Sequence, residues 1–409
     1  MTTIQATCPV CRTNDTVEFV HREAVPVHQN LLYETAQAAQ AAVRGTLSLY
    51  ACRKCDFVFN AAFDPSLMSY SERYDNAQEH SGVFERHVDM LARRLIEDRG
   101  IRGMHVVEVG CGQGSFLRRL VEYPGSGNTG TGYDPSYAGP PASADGRLKF
   151  RREFYGADSA RPDSSVGDAA GNPAGANHSA DAVVARHVIE HVPDPVAMLR
   201  SLRSALSGSM HTQVFFETPC IEWIFREQAS WDLFYEHCSL FNPRSLAQAF
   251  SMAGFKARSV EHVFGGQYLW LEGRPIDFED AGLLRPGQTA LVESALAFGR
   301  SEVARIEAIT ERIARLGATG RVALWGAGAK GCTLTALVDP DASRIDSLID
   351  INPGKQGCFV AATGHPILAP AQAFARGVRS ALLMNPNYLN ECRALLARDR
   401  VDIQLLELD

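Results

Sequence analysis

The run of residues 106–114, Val-Val-Glu-Val-Gly-Cys-Gly-Gln-Gly, constrains the fold more than any other part of this chain. The apolar, β-branched residues of Met104–Val109 predict a buried parallel strand, and Ser115–Val121, after the glycines, predicts a helix. Gly110 and Gly112 allow a sharp turn and a close approach of the backbone to a ligand, and Gly114 allows the helix to pack against the strand. The segment therefore predicts an α/β domain with a ligand-binding turn.

Further strand and helix candidates surround this turn. The strand candidates are Thr129–Tyr133, Asp181–Ala185 and Gln213–Phe216, and the helix candidate Val83–Asp98 precedes the first strand. Strands that alternate with helices predict a doubly wound parallel sheet. Residues 155–180 are crowded with Gly, Ala, Asp and Ser and nearly lack large aliphatic side chains, so we expect an exposed, mobile insertion there.

A second strand–glycine–helix unit lies near the end of the chain. It spans residues 322–331, and the strand-like Leu348-Ile349-Asp350 follows about twenty residues later. Alone, this pattern predicts a nucleotide-binding half of a Rossmann domain, or a purely structural domain of the same shape. The backbone amides of residues 326–331 and the ammonium of Lys330 suit a diphosphate.

Two CxxC pairs lie close together near the start of the chain, Cys8 with Cys11 and Cys52 with Cys55. Four thiolates supplied by two tight turns complete the tetrahedral coordination of Zn²⁺ and leave no position for a substrate, so we predict a structural zinc site. Four unrelated cysteines are one alternative. A redox-active pair is another, although the βαβ pattern expected around it is missing.

These patterns divide the chain of 409 residues into three parts. We predict a zinc-binding module over residues 1–75, a doubly wound α/β domain over 76–285 and a second Rossmann-like domain over 286–409. Pro286-Gly287 marks the second limit. The helix candidate Ala297–Gly317 leads into the last domain, and its apolar face consists of Val303, Ile306, Ile309, Ile313 and Leu316.

Charge and hydropathy disfavour several classes of partner. Lys and Arg number 40 against 47 Asp and Glu, and the net charge of −7 disfavours nucleic acid as a partner. No apolar run approaches the roughly 18 residues that span a bilayer, so no membrane partner is expected. Residues 1–8 show neither the basic start nor the apolar core of a signal peptide, which predicts a cytoplasmic protein.

The densest cluster of polar and aromatic residues covers residues 230–241. It follows the strand candidate Gln213–Phe216, and the carboxyl ends of such strands line the active crevice of an α/β sheet. His237, flanked by Tyr235 and Glu236, is therefore a candidate for proton transfer. The alternative is a partly buried histidine whose ring is hydrogen-bonded to a neighbouring carbonyl.

The glycine turn also carries a family resemblance. The pattern E-x-G-C-G-x-G over residues 108–114, with an acidic residue at the end of the next strand, resembles the S-adenosylmethionine-binding motif of class I methyltransferases. Residues 186–192 resemble the fourth-strand motif of that family, usually near H-x-x-E-H. A nicotinamide site is the alternative. The resemblance implies a cofactor site formed by Glu108, Gly110, Gly112, Gly114, Asp134, Arg186 and His187, with Asp134 on the ribose hydroxyls.

A second resemblance covers essentially the whole chain. Residues 234–241, (Y/F)-x-E-H-x-S-x-F, resemble the signature of the sugar C-methyltransferases of deoxysugar biosynthesis, in which four zinc cysteines, a methyltransferase domain and a distinctive C-terminal domain follow in the same order. It implies that His237 is the base, with Glu236 beside it. Members often have tyrosine and histidine where this chain has Phe234 and Tyr235, so the substrate-contacting tyrosine is missing or shifted by one.

The last domain resembles the same family through the motifs G-A-x-x-K-G, D-x-N-P-x-K-Q-G, P-I and N-Y-x-x-E. This resemblance implies that the domain helps to hold the nucleotide diphosphate of the substrate, with Lys330 and Asn387 as candidate contacts. Tyr74 is a candidate lid or substrate contact, or lies in a polar linker. The resemblance implies carbon methylation of a small molecule, a nucleotide-linked keto-deoxysugar, through an enolate. Alternatives are methylation of another small molecule at carbon, oxygen or nitrogen, methylation of RNA, and a non-catalytic scaffold.

Overall fold

A computed structural model describes residues 6–68, 81–156, 180–206, 208–277, 279, 282 and 290–408. Three β-sheets organise these residues. The predicted domain limits near residues 75 and 285 and the dipeptide Pro286-Gly287 lie outside the described residues, so the limits remain predictions. Most of the predicted insertion, residues 157–179, also lies outside them.

The N-terminal sheet is antiparallel and is built on a long hairpin. Its strands are β1 (Thr16–Pro26), β2 (Arg44–Cys52) and β3 (Val58–Asn60), and the short helix α1 (Ala36–Gln40) lies between the first two. The residues of β2 from Leu47 onward are all buried, because this strand has packing partners on both faces. The two CxxC turns lie at one end of the hairpin, just before β1 and at the end of β2.

The middle sheet has seven strands and carries the first glycine turn. Its strands are β4 (His105–Val109), β5 (Thr129–Tyr133), β6 (Leu148–Arg151), β7 (Ala182–Arg186), β8 (Gln213–Pro219), β10 (Phe255–Val263) and β11 (Tyr268–Pro275). The short β9 (Ser239–Leu240) lies between β8 and β10 in the sequence but is the fourth strand of the N-terminal sheet, where it pairs with β3. The helices are α2 (Gly82–Arg93), α3 (Ser115–Glu122), α4 (Pro195–Ala205), α5 (Ile221–Arg226) and α6 (Pro243–Met252).

The strand order in this sheet is β10-β11-β8-β7-β4-β5-β6, and β11 runs antiparallel to both of its neighbours. The predicted doubly wound α/β fold is therefore confirmed. The chain leaves β4 in one direction through β5 and β6 and then returns to β7 on the other side, which makes the carboxyl ends of β4 and β7 a topological switch point. Ligands of open α/β sheets bind at such a point.

The predicted elements of the middle region agree with this sheet to within a few residues. The helix candidate Val83–Asp98 forms as α2 and continues as one π-helical turn over Arg94–Asp98. The sequence analysis missed β6, β10 and β11. Most residues of β10 are exposed or only partly buried, so this edge strand lacks the continuous apolar run that marks a central strand.

The C-terminal sheet is entirely parallel. Its order is β14-β13-β12-β15-β16, with β12 (Arg321–Trp325), β13 (Ile345–Ile349), β14 (Ile367–Leu368), β15 (Val378–Leu383) and β16 (Gln404–Leu406). The helices are α7 (Ala290–Gly317), α8 (Ala329–Val338), α9 (Pro370–Ala375) and α10 (Leu389–Asp399). The switch point of this sheet lies at β12, so the second glycine turn also opens onto a crevice.

The long helix α7 begins before the predicted Ala297, and its buried face differs in part from the predicted one. Ile309 and Ile313 are buried as predicted, but Val303 is 67% exposed. Leu291, Val292, Ala295 and Phe298 form the rest of the buried face. The difference arises because α7 packs along β1, β2 and α5 before it reaches β12. Among the described residues, no helix is both long enough and apolar enough to cross a membrane.

Candidate functional site

A cavity of about 250 Å³ lies where the carboxyl ends of the middle sheet face those of the C-terminal sheet. The loop after β7, the segment after β8 and the glycine turn after β12 all reach it. From the middle sheet, the polar lining includes His187, Glu190, His191 and His237. From the C-terminal sheet, Gly326, Gly328, Lys330 and Lys355 line it. The fold thus joins the two motif regions that lie far apart in the sequence.

The first glycine turn adopts a conformation that requires glycine. Gly110, Gly112 and Gly114 have φ values of +67°, +53° and +80°. A Cβ atom on Gly110 would approach Cγ2 of Val188 to 2.3 Å, and one on Gly114 would approach Cε1 of Phe150 to 2.3 Å. A Cβ atom on Gly112 would meet no atom within 4 Å. Open space therefore lies beside the middle of the turn, where a ligand can approach the backbone.

The two acidic residues of this motif hold the turn in place. Asp134 Oδ2 accepts a hydrogen bond from the Gly112 N–H at 2.8 Å, so its carboxylate lies against the turn. Glu108 is buried and accepts from the Leu117 N–H at 3.0 Å, which caps the start of α3. Burial raises the pKa of Glu108 to about 8. The glycines, the open space and the carboxylate of Asp134 suit the ribose and methionine portions of S-adenosylmethionine.

Arg186 and His187 belong to a buried network centred on Glu217. Its carboxylate accepts from Arg186 Nε at 2.7 Å and is 2.5 Å from Nε2 of His87. Burial alone would raise the pKa of Glu217, but Arg186, His187 and His87 hold it well below the usual range. Burial would likewise lower the pKa of His187, but the carboxylates of Glu190 and Glu217 raise it to about 9. His187 therefore presents a positive charge to the cavity at neutral pH.

His237 lies in the cavity wall between two aromatic rings. The ring centroids of Phe234 and His191 are 4.0 Å and 4.8 Å from that of His237. Its Nδ1 is buried and has no hydrogen-bond partner among the described residues. Burial, with His191, His187 and Lys330 nearby, holds the pKa of His237 well below its usual value. The ring is therefore neutral at physiological pH, with a nitrogen available to accept a proton.

The structure does not bring Glu236 and Tyr235 into the cavity with His237. Glu236 is buried and accepts from the Gln29 N–H at 2.8 Å. The Tyr235 hydroxyl accepts from the Asp64 N–H at 2.7 Å. Residues 234–237 form a turn, closed by the His237 N–H donating to the Phe234 carbonyl at 3.2 Å. The two central residues of this turn, Tyr235 and Glu236, both direct their side chains into the N-terminal module. The predicted catalytic set is thus reduced to His237 at the cavity.

In the C-terminal domain, Lys330 lines the cavity as predicted, but Asn387 does not. Lys330 Nζ donates to Asp232 Oδ2 at 2.5 Å and lies 4.7 Å from the centroid of the Trp223 ring. Asn387 packs outside the cavity, where its amide donates to the Phe264 carbonyl at 3.1 Å. Asn387 lies in the turn just before α10 and joins the C-terminal domain to the β10–β11 connection.

The sequence analysis missed Lys355 as a site residue. It is 5% exposed, and among the described residues no carboxylate lies within 4.0 Å of its ammonium. A Cβ atom placed on Gly328 would lie 4.0 Å from Lys355 Nζ, so this ammonium stands over the glycine turn. The segment Lys355-Gln356-Gly357 offered a lysine next to a glycine, but only the fold shows that this segment reaches the glycine turn after β12.

The four cysteines of the CxxC pairs come together as predicted. The Sγ atoms of Cys8 and Cys55 are 3.6 Å apart, and those of Cys11 and Cys52 are 3.5 Å apart. All four sulfur atoms lie within 4.8 Å of one another. Zn–S bonds of about 2.3 Å in a tetrahedron separate the sulfurs by about 3.8 Å, so the cluster has the size of a zinc site. Tyr74, the predicted lid residue, lies outside the described residues.

Comparisons with known proteins agree with this architecture. A family model of a methyltransferase domain matches residues 82–260, and a model of a C-methyltransferase C-terminal domain matches residues 297–400. The C-methyltransferase NovU of Streptomyces niveus is 24% identical over 397 residues, which are 94% of this chain and 90% of that protein.

Solved structures were also compared with this chain. The N,N-8-amino-8-demethyl-D-riboflavin dimethyltransferase of Streptomyces davawensis is 20% identical, with 47% of this chain and 54% of that chain covered and a TM-score of 0.32. The magnesium protoporphyrin IX methyltransferase of Synechocystis PCC 6803 is 15% identical, with 47% and 84% covered and a TM-score of 0.31. By its two matching domain models and its full-length relative, the chain belongs to the S-adenosylmethionine-dependent methyltransferases, within the C-methyltransferase family that its motifs resemble.

Proposed function

We propose that this C-methyltransferase methylates the carbon next to the ketone of a nucleotide-linked keto-deoxysugar. The proposal depends on one observation. His237, whose Nδ1 has no hydrogen-bond partner among the described residues, lines the same cavity as a glycine turn with a buried, unneutralised lysine, Lys355. A proton acceptor and a site for an anionic substrate therefore lie within one cavity.

The chemistry starts with proton removal. A ketone acidifies the neighbouring C–H bond, and a ring nitrogen of neutral His237, or a water that it holds, accepts that proton. The electron pair of the C–H bond forms the enolate of the sugar. S-adenosylmethionine supplies an electrophilic methyl group when bound. The enolate carbon forms a bond to that methyl, the S–CH₃ electron pair stays on sulfur, and the ketone is restored. S-adenosylhomocysteine and the methylated ketosugar are the products.

The cavity provides stabilisation for the negative charge of the enolate oxygen. His187 is positively charged at neutral pH and lines the cavity with His237. Glu217 and Glu190 hold its ring, so the charge is oriented before the reaction begins. Such preorganised charge is often the largest single contribution to lowering a reaction barrier.

Lys355 gives the C-terminal domain its proposed role. The Lys355 side chain is largely buried and lines the cavity, and a cation in such surroundings is stabilised by an anionic ligand. The backbone amides of the second glycine turn and the ammoniums of Lys330 and Lys355 together suit the diphosphate of a nucleotide. In this proposal Lys355 takes the role that the sequence analysis assigned to Asn387.

The variant Lys355→Met tests the diphosphate site. Methionine fills similar space without the charge, so we expect KM for the nucleotide-linked sugar to rise about 10- to 100-fold, as the loss of charge-assisted hydrogen bonds implies. Thermal stability should be unchanged or higher, because an unneutralised charge is removed from the interior. Steady-state kinetics and calorimetry with a nucleoside diphosphate measure both effects. Lys149→Met, at an exposed position in β6, is the control, and equal KM values for the two variants would contradict the role of Lys355.

We also propose that the four-cysteine cluster binds structural zinc. The separations between the Sγ atoms and the absence of a fifth donor group in the cluster, among the described residues, support a closed site. Such a site would hold the two turns together and would not take part in methyl transfer.

The experiment that tests the function follows carbon acidity and methyl transfer together. Purified protein is incubated in D₂O with labelled S-adenosylmethionine and a panel of nucleotide-linked 4-ketosugars. We expect methylation at the carbon next to the ketone, and deuterium incorporation there when S-adenosylhomocysteine replaces the methyl donor. Tight cofactor binding without exchange or transfer for any ketosugar would overturn the sugar assignment and leave a C-methyltransferase with another small-molecule acceptor.

A further inference from the structure

The loop that carries His237 is embedded in the N-terminal module. Its strand β9 pairs with β3 through Phe59 and Ser239, so the end of the loop completes the N-terminal sheet. The Asn60 N–H donates to the Cys238 carbonyl at 2.9 Å. Tyr235 and Glu236 add the contacts to Asp64 and Gln29 already described. The residues next to His237 on both sides in the sequence are therefore fixed by a domain that contributes little to the cavity itself.

The start of the same loop is held by a buried arginine. Arg22, in β1, donates from Nη1 to the Leu233 carbonyl at 2.9 Å and from Nη2 to the Ser230 carbonyl at 2.8 Å. Nη2 also lies 2.6 Å from Oε1 of Glu302 in α7, and both side chains are about nine-tenths buried. The negative charge of Glu302 compensates the buried guanidinium of Arg22, because a buried charge that loses its partner is strongly destabilising.

We infer that Arg22 and Glu302 are positioning residues for the base, which hold the loop of residues 230–237 so that Phe234 and His237 face the cavity. The inference rests on the proposed role of His237. Arg22 orients two carbonyls of the loop, Glu302 orients Arg22, and Tyr235 and Glu236 anchor the following residues in the N-terminal module. Three parts of the chain thus meet at one loop. Glu236 and Tyr235 accordingly act through the position of His237 and not by contact with the substrate.

This arrangement has a consequence for catalysis. A displacement of about 1 Å of a reacting group costs on the order of 10²-fold in rate, so a loosened loop lowers kcat more than it affects cofactor binding. It also admits water to His237. The groups that surround this ring are His191 and Glu190 after β7, His187 beside them, Asp232 of the loop itself and Lys330 of α8. The effect of these groups on the protonation of His237 depends on how closely the loop is held against them.

The test compares Glu302→Gln with Glu307→Gln, the same change at an exposed position of the same helix. Histidine rings are labelled with ¹³C, and the signal of His237 is assigned by its loss in His237→Gln. We expect the pH midpoint of His237 to move up toward that of a solvated histidine in Glu302→Gln, with kcat lowered about 10- to 100-fold and S-adenosylmethionine binding unchanged. Glu307→Gln should match the wild type. An unchanged midpoint and kcat in folded Glu302→Gln would overturn the inference.

A second variant keeps the test decisive if Glu302→Gln does not fold. Arg22→Lys retains the charge next to Glu302 but cannot bond two carbonyls in the same geometry, so we expect a partial shift of the midpoint and a smaller loss of kcat. A wild-type titration in Arg22→Lys would also overturn the inference. The NMR measurement needs no acceptor substrate. A shifted midpoint in a protein without ketosugar activity would therefore refute the proposed function and not the positioning.

Discussion

Replacement of His237 by glutamine is expected to lower kcat for methyl transfer by about 10²- to 10⁴-fold, the usual contribution of a general base. Glutamine is close to histidine in size and cannot take up the proton at neutral pH. The Nδ1 atom of His237 has no hydrogen-bond partner among the described residues, so the replacement removes no hydrogen bond of that atom there. We therefore expect S-adenosylmethionine binding and thermal stability to stay near wild-type values.

The pH profile provides a second part of this prediction. Burial and the neighbouring His191, His187 and Lys330 hold the pKa of His237 well below its usual value, so activity should fall only at a pH well below the range in which a solvated histidine becomes protonated. At the alkaline end, His187 loses its positive charge as the pH rises through about 9, and the stabilisation of the enolate is lost. We expect kcat/KM to be flat between these limits in the wild type.

The measurement is single-turnover transfer of a labelled methyl group, together with solvent deuterium exchange at the carbon next to the ketone. Both should be lost together in His237→Gln. His211→Gln, at an exposed position before β8, is the matched control and should retain full activity. Exchange at the wild-type rate in His237→Gln would show that another group removes the proton.

Loss of the four-cysteine cluster is expected to abolish both metal binding and activity. Cys52→Ser removes one of four ligands from a closed site, and structural zinc contributes apparent binding free energies of about 10 to 16 kcal/mol in small domains. In this chain the same hairpin carries Arg22 and pairs with the loop of His237 through β3 and β9. The expected result is a preparation without zinc, a melting temperature lowered by roughly 10 °C or more, and no measurable methyl transfer.

Elemental analysis of the purified protein and thermal unfolding with and without a chelator measure this effect. The wild type should contain one zinc per chain and lose stability with the chelator. Cys358→Ser changes a partly buried cysteine outside the cluster and should keep both the metal and the activity. A metal-free wild type with the same melting temperature as Cys52→Ser would refute the zinc proposal.

Local patterns were sufficient for the glycine turns and the four-cysteine cluster. Gly110, Gly112 and Gly114 all adopt positive φ values, and the conformation is dictated over a few consecutive residues. The two CxxC pairs are separated by forty residues but come together because β1 and β2 form one hairpin. In both cases the residues that define the feature lie within short segments. For the cysteines, the sheet only has to bring the two CxxC turns together.

The site around His237 needed more than local patterns. The sequence indicated that His237, Glu236 and Tyr235 form one polar cluster, yet Tyr235 and Glu236 lie at the centre of a turn that ends at His237. The direction of each side chain depends on what packs on each side of that turn. The side chains of Glu236 and Tyr235 pack in the N-terminal module, whereas His237 lines the cavity. Spacing alone does not reveal this division.

By itself, the sequence determined the doubly wound α/β fold, the S-adenosylmethionine-type turn, the cysteine cluster and the polar loop in which we propose the base, because each is encoded by residue type and spacing within a short segment. Only the tertiary structure decided that Lys355 stands over the second glycine turn, that Asn387 does not, and that Arg22 and Glu302 meet at the carbonyls of Ser230 and Leu233. These pairs lie up to 280 residues apart along the chain. Their contacts arise from the packing of three sheets, and no local pattern records which surfaces will meet.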